Sequence, residues 1–132
     1  MRRALEEQAQ LNLGQQMRIL QAHVERRKEL EQQRLTLIVT LELEKKHLIA
    51  APRYVFYMEA IGDKEREIVQ QINTIESQTV IVEQCRLELA EKVKGRKVLE
   101  KLREKKLQQF KEAELVKVQN ENDEMAILRF GR

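Results

Sequence analysis

A single proline, Pro52, separates two stretches that hold no other strong helix breaker, and this constrains the fold more than any other feature of the sequence. Proline removes a backbone donor and restricts the residue before it, so the chain is expected to turn in the segment Leu48-Ile49-Ala50-Ala51-Pro52-Arg53. Gly14, Gly62 and Gly95 lie inside helical patterns. Each costs up to about 1 kcal/mol relative to alanine, which a long packed helix tolerates. The reading is therefore a first helix over 3–49, a turn over 50–53 and a second helix over 54–128, in one coiled-coil unit. Gly131 falls at an end where fraying is expected.

Composition removes the competing fold classes. The chain has no Trp, three Phe and two Tyr in 132 residues, too little large apolar material for a compact globule. Charged residues make up 36% of the chain, but they nearly cancel to a net charge of +3, and Leu, Ile and Val recur throughout, which argues against general disorder. Apolar runs such as Leu35 to Leu41 soon meet Glu and fall far short of the roughly 20 residues a membrane span needs. The first residues lack the apolar stretch of a secretory signal, so the location is read as cytoplasmic. Cys85 is the lone cysteine and is read as a small helix residue.

The periodicity then gives the arrangement. In the second helix Ile61, Ile68, Ile72, Ile75, Thr79, Val82, Arg86, Leu89 and Val93 step by sevens, threes and fours, the spacing of a seam that faces a partner. In the first, Leu13, Met17, Leu20, Val24, Leu30, Leu37, Leu41 and Leu48 form a looser series with a slip after Val24. The two stripes meet in an antiparallel hairpin when facing residue numbers add to about 102, pairing Leu41 with Ile61 and Leu20 with Val82. The expected fold is all-α, a long antiparallel two-helix coiled-coil hairpin whose second helix overhangs from about residue 100.

Chemistry-bearing motifs are scarce. Glu44 and His47 have the Glu-x-x-His spacing of di-iron bundles, but no second copy exists and two helices cannot complete the ligand set, so no metal is expected. No phosphate-binding glycine loop and no nucleophile elbow is present, and a two-helix rod offers no enclosed pocket; the chain is read as non-catalytic and without cofactor. Residues 86–111 carry ten cations against four carboxylates, a net of +6. This face reads either as a solvated surface, with pairs such as Glu100–Arg103, or as a docking surface for an acidic protein. Aromatics for base stacking are missing apart from Phe110, which disfavours nucleic acid. Tyr54, Phe56 and Tyr57 crowd three of the five aromatics at the turn, where they either lock the bend or dock a partner. The overhang's apolar residues, from Leu115 to Phe130, lack a partner in this chain.

The run Arg96-Lys97-Val98-Leu99-Glu100-Lys101-Leu102-Arg103-Glu104-Lys105-Lys106, then Phe110 and the segment Asp123-Glu124 through Arg129, resembles the bacterial flagellar export protein FliJ. Arg53-Tyr54 with Ile61 and Ile68, and Glu6 with Ala9, are similar to that family's post-turn ladder and early Glu-x-x-Ala run. The resemblance implies a stalk of the flagellar type III export apparatus, similar to the coiled coil of rotary ATPase gamma subunits. Arg96, Lys97, Lys101, Arg103, Lys106 and Phe110 would then meet the hexameric export ATPase FliI, and Tyr54, Phe56 and Tyr57 the export gate protein FlhA. Export chaperones would bind the flank, and the protein would lie peripherally at the cytoplasmic face of the inner membrane. The equivalent stalk of a virulence secretion system, a basic nucleic-acid-binding rod and a self-assembling scaffold are the alternatives.

Overall fold

A computed structural model describes residues 2–130, which form two helices, α1 (Arg2–Lys45) and α2 (Ala51–Phe130). Gly131 lies outside the described residues. At about 1.5 Å per residue the 44 residues of α1 span about 66 Å and the 80 residues of α2 about 120 Å. The two helices pack against each other as the expected antiparallel hairpin.

The turn sits earlier than the proline. It occupies residues 46–50, and Pro52 belongs to the first turn of α2. The carbonyl of Ala50 accepts the amides of Arg53 and Tyr54, both at 3.0 Å, which makes Ala50 the helix cap and Pro52 the second helical residue. Backbone amides in a first turn have no intrahelical acceptor, so the missing donor of Pro52 costs nothing there. α1 ends by tightening: the amides of Lys46 and His47 reach back three residues to the carbonyls of Leu43 and Glu44, at 3.3 and 3.0 Å. The chain reverses at Leu48, which has a φ of 53°. This left-handed conformation costs a leucine about 1–2 kcal/mol and is normally given to glycine or asparagine.

Burial defines a seam more regular than its apolar residues alone reveal. On α1 the buried and half-buried positions include Leu13, Gln16, Leu20, His23, Arg27, Leu30, Arg34, Leu37, Leu41 and Glu44, alternating by threes and fours without a slip. Polar residues fill the places where the aliphatic series broke. On α2 the positions are Tyr57, Ile61, Lys64, Ile68, Gln71, Ile75, Gln78, Val82, Cys85 and Leu89. Gln78 and Cys85 are buried where Thr79 and Arg86 were expected, and both of those are exposed. Thr79 satisfies its hydroxyl by donating to the carbonyl of Ile75 at 2.7 Å. Met17 and Leu48, also assigned to the seam, are exposed as well.

The two stripes coincide when facing numbers add to 98, one helical turn from the expected 102. Cross-helix bonds bracket this value: Gln71–His23 and Gln78–Gln16 give 94, Arg34–Glu65 gives 99 and Glu6–Arg96 gives 102. In the middle of the rod, the Gln78 side-chain amide donates to the Gln16 side-chain oxygen at 2.8 Å and to its carbonyl at 3.0 Å. One heptad nearer the tip, Gln71 donates to the His23 carbonyl at 3.0 Å. The apolar core is concentrated near the tip, where Leu41, Tyr57 and Ile61 are buried and Leu37, Ile38 and Ile49 pack on them.

Candidate interaction surfaces

At the tip one carboxylate organises the neighbouring groups. Glu44, on the last turn of α1, accepts two bonds from the Arg53 guanidinium, at 2.6 and 2.7 Å, and one from the Tyr57 hydroxyl at 2.9 Å. The Arg53 bonds, with a smaller contribution from Tyr57, hold the Glu44 carboxyl below its ordinary pKa. The same bonds raise Arg53 further above its already high value. Glu44 is thus committed to closing the hairpin. His47, its partner in the Glu-x-x-His spacing, is exposed on the turn. Among the described residues no three His, Cys, Asp or Glu side chains converge on a possible metal site.

The three aromatic residues expected to act together at this end divide into different roles. Tyr57 is buried and belongs to the core. Tyr54 is partly covered by Lys45, whose ammonium lies 5.4 Å from the ring centre. Phe56 packs edge-on against Tyr57, with ring centres 5.8 Å apart, yet remains 63% exposed. Leu48, absent from the expected set, is 98% exposed at the apex. The periodic pattern assigns it to the seam, because spacing alone does not reveal that its backbone turns left-handed.

At the other end the hairpin closes with Arg96. Its guanidinium donates to Glu6 of α1 at 2.6 Å and to Glu100 at 3.0 Å, and these bonds raise its pKa, Glu6 being the larger cause. Arg96, which the sequence reading grouped with the partner-facing cations, therefore also holds the start of α1. Glu100 pairs with Arg96, not with Arg103. Past this point every residue from Lys101 to Phe130 is exposed, a free helical arm of about 45 Å. Lys97, Lys101, Arg103 and Lys106 make no ion pair among the described residues, and Phe110 is 63% exposed on the same arm. Beside the start of α1, an open groove of about 920 Å³ runs along α2, lined by Leu13, Leu89 and Val93 and by the charged Lys94, Lys97, Lys101, Glu100 and Glu104.

The flagellar FliJ protein family model matches residues 1–132. The chain belongs to the flagellar FliJ family. This makes it a coiled-coil protein associated with flagellar export, in a family whose members are non-enzymatic export components. No curated protein and no solved structure shows significant similarity to it. Among the described residues no helix is long and apolar enough to cross a membrane.

Proposed function

We propose that this FliJ-family chain is the stalk of the flagellar type III export apparatus, with its free arm entering the ring of the hexameric ATPase FliI. The observation that carries the reading is the arm itself: about 45 Å of unpartnered helix, bearing Lys101, Arg103 and Lys106, which make no ion pair among the described residues. Such a helix fits a narrow ring whose inner loops are acidic. Unequal contact with the subunits would favour ring assembly and bias their conformations by differential binding. The tip, presenting Phe56 and Leu48, would face the export gate protein FlhA, and the flank would receive export chaperones. The protein would then work peripherally at the cytoplasmic face of the inner membrane.

The test is to add the purified chain to FliI and measure ATP hydrolysis and hexamer formation. The intact chain should raise both, and changing Lys97, Lys101, Arg103 and Lys106 together to Ala should abolish the effect while helicity is retained. Arg96→Ala belongs in a separate variant, because Arg96 also holds α1 through Glu6. Absence of stimulation by the intact chain refutes the reading.

A further inference from the structure

The arm's charge is divided along its length. Residues 86–111 carry a net +6, whereas residues 112–130 carry five carboxylates against Lys117 and Arg129, a net of −3. A helix that is basic in its inner part and acidic in its outer part complements a second copy of itself laid antiparallel. We infer that the arm is also a self-pairing surface, on which two copies of the chain form an antiparallel dimer.

The stripe that would meet the second copy continues the hairpin seam. Beyond half-buried Leu89 and Val93 the seam reaches Arg96 and Glu100, and threes and fours then carry it to Arg103, Leu107, Phe110, Glu114, Lys117 and Glu121. When facing numbers of two such stripes add to 217, the layers between 96 and 121 are complementary. Leu107 meets Phe110, Arg103 meets Glu114, Glu100 meets Lys117 and Arg96 meets Glu121. The two-fold axis repeats every pair. A parallel, in-register pairing would instead set Arg103 on Arg103 and Glu114 on Glu114, so charge alone selects the antiparallel arrangement.

The firm part of the contact runs from 103 to 114, because Arg96 is already held by Glu6 and Glu100 by Arg96. Beyond it the register carries the outer ends beside the start of α1, along the groove that Lys94, Lys97 and Lys101 line together with Glu100 and Glu104, where Leu128 falls opposite Leu89 and Glu124 opposite Val93. The dimer uses the face that would otherwise enter the ATPase ring, so the two states exclude each other.

The test uses the whole chain. Sedimentation equilibrium at low salt should show mass rising from monomer to dimer with concentration, and added salt should reverse the rise because exposed charges carry the specificity. Arg103→Glu alone and Glu114→Lys alone each replace two attractive pairs by two repulsive ones. At the usual strength of exposed pairs, either should weaken self-association about thirtyfold. Both sites are exposed, so circular dichroism should remain that of the native hairpin. Mixing the two variants makes every 103–114 layer attractive again, and a heterodimer should form although neither variant dimerises alone. Monomer mass for the unaltered chain at every concentration overturns the proposal and leaves the arm to foreign partners. A mixture that associates no better than its components overturns the antiparallel register.

Discussion

Leu30→Ala should do more than weaken the hairpin; it should divide its unfolding into two steps. Leu30 is 2% exposed and, at a facing sum of 98, lies across from Ile68. The neighbouring seam positions are Arg27 and Arg34 on α1 and Lys64 and Gln71 on α2, so this layer is the apolar link between polar ones. Removing three carbons forfeits about 2.4 kcal/mol of transfer free energy. A cavity contribution is added, but a two-helix seam is open at its sides and collapses partly, which places the total at about 2.5–3.5 kcal/mol. On α1 the seam from His23 to Arg34, about 17 Å, then keeps half-buried Val24 as its one aliphatic side chain larger than alanine, while α2 keeps half-buried Ile68, Ile72 and Ile75. The tip cluster of Leu41, Tyr57 and Ile61 should then persist after the part around Val82 and Cys85 has opened. Urea unfolding followed by circular dichroism measures the loss. Hydrogen exchange should show faster amide exchange in residues 9–30 than in 35–45. The control is Leu11→Ala, at a position 61% exposed, where a change within about 0.5 kcal/mol is expected. If the two variants differ by less than about 0.5 kcal/mol, Leu30 is not the link, and the burial argument fails.

Two further predictions concern the turn. Leu48→Gly should stabilise the hairpin by about 1 kcal/mol, because glycine adopts the left-handed conformation without the Cβ clash and the exposed leucine contributes no packing. A lower melting temperature for that variant would contradict the assigned backbone. Because Glu44 is held below its ordinary value of 4.5 in the folded state, its contribution is fully present above that pH and is lost as pH falls through the depressed folded value. Acid titration of the folded fraction should show this loss, and Glu44→Gln should flatten it; an unchanged acid profile would mean that the Arg53 and Tyr57 bonds do not act in solution.

The parts of this fold that follow from short-range chemistry were legible, and those that depend on distant pairings were not. Pro52 and the lack of other breakers suffice for two helices and one reversal. The place of the reversal is set by Leu48, whose strained conformation has no sequence cue, and by the tolerance of a first helical turn for proline. The phase of the α2 seam was ambiguous for a definite reason. Ile75, Thr79, Val82, Arg86, Leu89 and Ile75, Gln78, Val82, Cys85, Leu89 both alternate threes and fours, and periodicity cannot choose between them. The choice lies in cross-helix bonding, since Gln78 finds the carbonyl and side chain of Gln16 while Thr79 turns back on its own helix.

The same distinction separates the candidate surface residues. Arg96 sits in a run of cations that look alike one by one, and its different role depends on Glu6, 90 positions away, coming within 2.6 Å when the hairpin closes. That contact marks where paired rod becomes free arm. It divides Arg96, which holds α1, from Lys101, Arg103 and Lys106, which are left for another surface. A partner that covered the arm along its whole length would need carboxylates for the inner half and cations for the outer half. A uniformly acidic ring lining meets the first need alone, whereas a second antiparallel arm meets both.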